Sequence, residues 1–136
     1  MKDRKRVLFV CVGNACRSQM AEGFARAYGS DVLVPASAGL APAAMLPRET
    51  LRAMAEKNLD ISSQFPKSLA HLGGLEFDLI INMSGYSLPM ESATPLREWE
   101  IPDPIGKHYE EHRVIRDQIE NLVLELILES RREQEQ

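Results

Sequence analysis

The chain has few of the features that mark several large classes of protein. Its 136 residues include only two cysteines and one tryptophan, and aromatic residues make up 6% of the total. Two cysteines cannot supply a disulfide framework of the kind that holds small secreted domains together. No apolar stretch is long enough to cross a membrane, and the N-terminus lacks the pattern of a secretory signal. We therefore expect a cytoplasmic protein that has no membrane partner.

The chain also lacks a large excess of charge of either sign. The chain carries 16 Lys and Arg residues against 20 Asp and Glu residues, and the net charge of −4 argues against a nucleic-acid-binding surface. The histidines at 71, 108 and 112 have no metal-ligand spacing relative to the cysteines, so we predict neither a metal site nor a cofactor. A chain of this length buries roughly two-thirds of its unfolded surface, which is enough for a single domain over residues 1–136.

Apolar, strand-like runs alternate with amphipathic helical segments along the chain. The predicted strands cover residues 6–11, 32–34, 77–83 and 99–101. The predicted helices cover residues 18–28, a segment that begins at Pro47, residues 69–72 and residues 109–131. This alternation predicts an α/β fold with three layers, in which a four-stranded parallel sheet has helices on both faces. Helical spacing directs inward Met20, Phe24 and Ala27 of the first helix and Leu51, Met54 and Ala55 of the second.

The segment from residue 7 to residue 18 carries the clearest chemical signal. A buried strand ends at Cys11, and a short loop then leads into a helix. Gly13 can adopt a positive φ, Asn14 tolerates left-handed backbone, and the guanidinium of Arg17 can hold two oxygens of one anion. Ser18, in the first helical turn, can donate a hydrogen bond to a sulfur. Backbone amides, a helix N-terminus and a guanidinium together favour a thiolate beside a bound oxyanion.

These features predict a phosphate loop after the first strand. Cys11 is the predicted nucleophile, with Arg17 and Ser18 as its catalytic partners. The simpler alternative is that Cys11 is a small buried apolar side chain at a strand end, without a chemical role. The Gly, Arg and Ser at these offsets favour the nucleophile. The predicted substrate-binding residues are Val12, Gly13, Asn14, Ala15, Cys16 and Arg17.

Cys11 and Arg17 are separated by five residues and form a Cys-x5-Arg loop, and residues 11–22 read CVGNACRSQMAE. This string resembles the signature of the low-molecular-weight protein tyrosine phosphatase superfamily, which also contains the thiol-coupled arsenate reductases. Further segments are similar to the family in the same order: SAG at 37–39, LDIS at 59–62, FDLIINM at 77–83 and WEIPDP at 99–104. The resemblance therefore extends over nearly the whole chain.

Asp103 is the predicted proton donor. It lies between Pro102 and Pro104, which stiffen the loop, and it follows the last predicted strand, whose carboxyl end should reach the edge of the sheet where Cys11 lies. The resemblance implies that the Asp-Pro pair supplies the general acid, whereas the simpler alternative is an ordinary Asp-Pro turn. In the implied mechanism Cys11 attacks phosphorus, Asp103 protonates the leaving group, and water then hydrolyses the phosphocysteine.

The main functional prediction is a phosphomonoesterase of the protein-tyrosine-phosphatase type, acting on a phosphorylated protein or a small phosphomonoester. The first alternative is an arsenate reductase of the same fold, because arsenate is also a tetrahedral oxyanion. Thioredoxin-coupled reductases of the superfamily have two further cysteines after the third strand, but Met83 stands where one is expected. Reduction would then depend on Cys16 or on an external thiol such as glutathione or thioredoxin. The second alternative is a non-catalytic oxyanion-binding module, although binding alone requires neither Cys11 nor Asp103.

Two questions stay open at the level of sequence. A phosphotyrosine site needs aromatic walls, but residues 40–46 contain none, and Ile105 stands where phosphatases of this family have a tyrosine. Trp99, Tyr86 or Tyr109 would have to supply the wall, although core packing is the favoured role for Trp99. Cys16 either packs beneath the loop or forms a reversible disulfide with Cys11.

Overall fold

The computed structural model describes residues 3–90 and 92–136. The chain forms, in order, β1 (Lys5–Cys11), α1 (Arg17–Gly29), β2 (Leu33–Gly39), α2 (Arg48–Ala55), a 3-10 helix (Leu69–Leu72), β3 (Leu79–Asn82), β4 (Leu96–Glu98) and α3 (Tyr109–Gln134). Within the described part of the chain, none of the helices combines the length and the apolar character needed to cross a bilayer.

The strands form one parallel sheet of four strands in the order β2-β1-β3-β4. In this register Val7 lies opposite Pro35 on one side and Leu79 on the other, and Cys11 lies opposite Gly39. The carboxyl ends of parallel strands meet at one edge of a sheet. The loops that follow the four strands therefore converge beside Cys11.

The two faces of the sheet are covered unequally. Val7, Phe9 and Cys11 point to one face and belong to a large core that also holds buried side chains of α1, α2 and α3. Leu8 and Val10 point to the other face, where the 3-10 helix and loop residues cover a smaller core. Burial on both sides explains why β1 is a continuous apolar run rather than an alternating one. Each such aliphatic side chain contributes about 1.5–3 kcal/mol on burial.

The predicted fold is confirmed: an α/β arrangement with a parallel four-stranded sheet between two covering layers, and Cys11 immediately before the loop that follows β1. The fourth strand is displaced from its predicted position at 99–101 to Leu96–Glu98. The backbone N–H of Trp99 donates to Asn82 O at 3.0 Å, where the ladder ends, and Ile101 is buried in the following loop. The apolar signal at 99–101 therefore belongs to a loop that turns into the core.

Two helix faces and one strand end also differ from the prediction. Ala27 and Ala55 are exposed, whereas Ala25 and Ala53 are fully buried, because the apolar stripes of α1 and α2 are centred on neighbouring positions. β2 extends beyond the predicted 32–34 as far as Gly39.

Candidate functional site

The loop between β1 and α1 forms the floor of a small cavity at the carboxyl edge of the sheet. The cavity has a volume of about 260 Å³. It brings Asp103 together with Cys11 and Arg17, which lie more than 80 positions earlier in the sequence. Its lining residues are Cys11, Val12, Gly13, Ala15, Cys16, Arg17, Ala43, Asp103 and Ile105.

Cys11 is 2% exposed, and its Sγ lies 2.9 Å from Ser18 Oγ. Ser18 Oγ also accepts a hydrogen bond of 2.7 Å from Asn14 Nδ2. Because the hydroxyl already accepts from Asn14, its own proton is available for the sulfur. A hydroxyl that donates to sulfur, together with the N-terminus of α1, stabilises a negative charge at Cys11.

Asn14 gives the loop its curvature. Its φ of 48° places it in the left-handed region, and it is fully buried. Its side-chain Oδ1 accepts hydrogen bonds of 3.0 Å from Gln19 Nε2 and from the backbone N–H of Lys67. These contacts hold a backbone conformation that an isolated asparagine adopts only at a cost.

The expectation of a positive φ at Gly13 is wrong, because among the described residues of the loop only Asn14 has one. A Cβ added at Gly13 would meet only the Cβ atoms of Ala15 and Ala43, at 3.8 and 3.9 Å. Gly39, at the end of β2, is the glycine whose missing side chain the loop requires. A Cβ there would lie 2.7 Å from Val12 O and 2.8 Å from Asn14 N.

Arg17 joins the loops that follow β3 and β4 to the site. Arg17 is 5% exposed, and its Nη1 donates to Met83 O at 2.6 Å and to Ile101 O at 3.2 Å. A guanidinium has five N–H donors, so these two contacts leave donors for a bound oxyanion. The carbonyl contacts fix the plane of the group before any anion binds.

Asp103 lies at the mouth of the cavity. Its Oδ2 is 3.6 Å from Arg17 Nη2, and 47% of its side chain is exposed. Its Oδ1 accepts a 3.0 Å hydrogen bond from the backbone N–H of Ile105, which closes an Asx turn. The turn and the contact with Arg17 coexist, so the two interpretations made from the sequence are compatible in geometry.

Cys16 lines the cavity but is directed towards α2. Its Sγ lies 3.0 Å from Thr50 Oγ1, and both Cys16 and Cys11 are free thiols. Burial raises the pKa of the Cys16 thiol to about 12, although the hydrogen bond with Thr50 partly opposes this. Cys16 is therefore a neutral thiol near pH 7, as expected for a packing role beneath the loop.

A second and larger cleft of about 770 Å³ adjoins the first and shares Val12, Arg17 and Asp103 with it. Trp99 is half-buried in its wall and also packs against the core through Phe9, with ring centroids 5.9 Å apart. The cleft is also lined by Asn82, Met83, Ser84, Gly85, Tyr86, Glu98, Glu100, Ile101 and Pro102.

A buried polar network behind the loop was not foreseen from the sequence. Gln19 is fully buried and its Nε2 donates to Asn14 O and Oδ1 and to Phe65 O. Glu22 is 6% exposed and accepts a 2.6 Å hydrogen bond from Ser37 Oγ. The sequence does carry one signal of this network: Gln19 and Glu22 are polar residues on the part of α1 that should face the core. Within residues 3–90 and 92–136, no group of three His, Cys, Asp or Glu residues could hold a metal ion.

Comparison with known proteins agrees with this geometry. A family model for low molecular weight phosphotyrosine protein phosphatases matches residues 6–136. A glutaredoxin arsenate reductase from Synechocystis sp. is 35% identical over 127 residues, which cover 90% of this chain and 96% of that protein.

Solved structures give the same result. One described as an arsenate reductase in the phosphate binding state has a TM-score of 0.85 and 34% identity, and the match covers 93% of this chain and 98% of that one. A low molecular weight protein tyrosine phosphatase from T. tengcongensis has a TM-score of 0.75 and 29% identity, over 92% and 99% of the two chains. The chain therefore belongs to the low molecular weight phosphotyrosine protein phosphatase family and is a cysteine-dependent enzyme of that fold.

Proposed function

We propose that the chain reduces arsenate to arsenite, with Cys11 as the nucleophile and an external thiol as the reductant. The observation that carries the proposal is the lining of the small cavity. None of its lining residues is aromatic, and Ala43 and Ile105 line it where a phosphotyrosine ring would need an aromatic wall. The names of the relatives support the same activity, since the protein from Synechocystis sp. is a glutaredoxin arsenate reductase. The reductase, an alternative at the level of sequence, is thus better supported than the phosphotyrosine phosphatase.

In the first step, Cys11 Sγ attacks arsenic. An S–As bond forms, an As–O bond breaks, and the departing oxygen leaves as water after it is protonated. Asp103, at the cavity mouth, is the proposed proton donor, and Arg17 with the loop amides holds the remaining oxygens. Ser18 Oγ, 2.9 Å from the sulfur, stabilises the thiolate before the attack.

In the second step, the sulfur of the external thiol attacks Cys11 Sγ. An S–S bond forms, the S–As bond breaks, and its electron pair stays on arsenic, which is reduced from As(V) to As(III) and leaves as arsenite. A second thiol then reduces the mixed disulfide and restores Cys11. The sum is arsenate and two thiols giving arsenite, one disulfide and one water, so atoms and electrons balance.

The reductant is proposed to be external because the chain has no second thiol suited to the step. Cys16 is the only other cysteine of the sequence, and it is held by Thr50 as a buried neutral thiol. Met83, buried beside the site at the end of β3, has a thioether that cannot take part in thiol exchange. An internal relay through either residue is therefore disfavoured.

The test is arsenite production from arsenate with a small thiol such as 2-mercaptoethanol, with glutathione and glutaredoxin, or with thioredoxin, as the electron source. Cys11→Ser should abolish turnover, whereas Cys16→Ala is the matched control and should retain most of it. Mass spectrometry of the Cys16→Ala variant during turnover should detect a mixed disulfide at Cys11. Loss of turnover in Cys16→Ala, with folding and phosphate binding intact, would contradict the external route.

Phosphomonoester hydrolysis is a second candidate activity of the same site. Asp103, 3.6 Å from Arg17, is the proposed acid for an alkoxide leaving group, and the structural similarity to a tyrosine phosphatase from T. tengcongensis supports this activity. Hydrolysis of an aryl phosphate without any thiol, abolished by Cys11→Ser, is the expected result. A panel with and without thiols separates the two activities, because only arsenate reduction consumes them.

A further inference from the structure

We infer that the 770 Å³ cleft seats the external thiol, and that its acidic wall makes the enzyme prefer neutral or cationic thiols over anionic ones. This inference rests on the proposed function. It assigns the cleft to one occupant, a low-molecular-weight thiol without net negative charge.

The position of the cleft makes it the route to Cys11. The reductant's sulfur must reach Cys11 Sγ, which lies 2% exposed at the floor of the small cavity. The cleft opens into that cavity past Val12, Arg17 and Asp103, which line both spaces. A volume of this size holds a ligand of a few tens of atoms. A thiol seated in the cleft therefore lies beside the entrance to the small cavity that holds Cys11.

The walls of the cleft are ordered before any ligand binds. Asn82, at the end of β3, donates from Nδ2 to Tyr86 O at 2.7 Å and accepts from the backbone N–H and hydroxyl of Ser84 at 3.0 and 2.7 Å. Gly85 supplies the positive φ that the turn requires, at 82°. The side chain of Tyr86 is thereby presented to solvent on one side of the cleft, and Trp99 forms another side.

The charge of the cleft is negative. Glu98 and Glu100 are exposed on either side of Trp99, and Asp103 stands where the two cavities meet. Arg17 is the only cationic side chain that lines the cleft among the described residues, and it is buried and engaged by two carbonyls. Arg97, next to Glu98, is paired with Glu129 on α3. Among the described residues that line the cleft, the carboxylates of Glu98, Glu100 and Asp103 therefore outnumber the one cation, so an anionic thiol that enters is repelled.

The experiment compares three small thiols that differ in charge: cysteamine, 2-mercaptoethanol and 3-mercaptopropionate. The kcat/KM for each thiol is measured at saturating arsenate and low ionic strength for the wild type and for Glu98→Gln/Glu100→Gln. The ratio of variant to wild type cancels the intrinsic reactivity of each thiol. Glu76→Gln/Glu125→Gln is the matched control, because it removes the same charge from exposed positions outside the cleft.

The expected result is a gain that grows with the negative charge of the thiol. The attacking form is the thiolate, so cysteamine reacts with no net charge, 2-mercaptoethanol with one negative charge and 3-mercaptopropionate with two. Removing two carboxylates about 8 Å from the ligand in a water-like dielectric changes the rate by about two- to fivefold for each unit of ligand charge. The variant should therefore gain most with 3-mercaptopropionate, less with 2-mercaptoethanol and little with cysteamine, with the effect reduced at 0.5 M salt. Equal changes for all three thiols, or the same shifts in the control, would overturn the inference.

A second measurement keeps this result separate from the proposed function. The rate at which Cys11 forms a mixed disulfide with cystamine, hydroxyethyl disulfide or dithiodipropionate is followed by mass spectrometry, without arsenate. The same charge-dependent shift in Glu98→Gln/Glu100→Gln supports the cleft as the thiol seat, even if the wild type reduces no arsenate, in which case only the reductase proposal fails. A rate independent of the substitutions contradicts the inference on its own.

Discussion

Two glycines at the site should respond to the same substitution in opposite ways. Gly39→Ala places a methyl group 2.7 Å from Val12 O and 2.8 Å from Asn14 N, both of them backbone atoms that cannot rotate away. Gly13→Ala places its methyl group no closer than 3.8 Å to any atom outside its chain neighbours, at a backbone conformation open to L-residues. The sequence motif points to Gly13, which lies within the Cys-x5-Arg segment, whereas the distances point to Gly39. Comparing the two variants shows which glycine the loop requires.

The size of each effect follows from these distances. An inserted methyl group in a tightly packed site costs about 1–3 kcal/mol when its neighbours must move. For a chain of this length that corresponds to a fall of roughly 3–12 °C in Tm. A displacement of the loop by about 1 Å can also lower turnover by about a hundredfold. Gly13→Ala should change stability by less than about 1 kcal/mol, and the restriction of the unfolded chain favours a small gain.

The assay is thermal unfolding of both variants, with isothermal titration of phosphate as a readout of the loop. Gly39→Ala should lower both the Tm and the phosphate affinity, and Gly13→Ala should retain the wild-type Tm. The reasoning is refuted if Gly39→Ala unfolds at the wild-type temperature, or if Gly13→Ala is the less stable of the two.

Three further predictions concern individual side chains. Ser18→Ala removes the hydrogen bond to Cys11 Sγ, which is worth about 1.5–3 kcal/mol for a charged acceptor, so alkylation of Cys11 by iodoacetamide at pH 7 should slow at least tenfold. Thr50→Val is the control, because it removes a hydroxyl that contacts Cys16 instead; equal alkylation rates in the two variants would argue against a role of Ser18. The pKa of Cys16 is about 12 in the folded protein, against an ordinary value of 9.0, so the native state holds its proton longer and the free energy of unfolding falls as pH rises from 9 to 12. In urea unfolding, Cys16→Ala should make the free energy of unfolding less dependent on pH in this range, by up to about 1.4 kcal/mol per pH unit. If the variant shows the same pH dependence as the wild type, Cys16 is not a buried neutral thiol. Asp103→Asn should lower turnover by about 10²–10⁴, because the proton donor is lost. Phosphate should bind at least as well to the free enzyme, because a carboxylate 3.6 Å from Arg17 is replaced by a neutral amide, and unchanged turnover would contradict the role of Asp103 as the acid.

The fold and the centre of the site could be predicted because their signals are local. β1 is apolar throughout, and Cys11, Arg17 and Ser18 lie within one short segment, so a single turn places them together. β4 was misplaced because its three residues are exposed and carry no apolar pattern, whereas Trp99 and Ile101 do. Patterns of apolar residues indicate which residues are buried, and here the half-buried Trp99 and the buried Ile101 belong to a loop rather than to a strand.

The remaining features depend on contacts between distant segments. The close approach of Gly39 to Val12 and Asn14 exists only once β2 pairs with β1. The partner of Cys16, Thr50, is 34 residues away on α2, and the pKa of the thiol follows from burial in the assembled core. No periodicity in the sequence encodes these distances.

Because the two faces of the sheet are covered unequally, we expect the loop between β1 and α1 to open more often than the core beneath it. Asn14 accepts a hydrogen bond from the backbone N–H of Lys67. The segment around Lys67 leads into the 3-10 helix, which belongs to the thinner of the two layers that cover the sheet. Thinly covered segments open at lower free energy than the global transition, as separate cooperative units. Amide protons of β1 should consequently exchange on the timescale of complete unfolding, whereas those near Lys67 exchange through a partial opening that releases Asn14. We therefore expect the loop to lose its shape when this thinly covered unit opens, before the core unfolds.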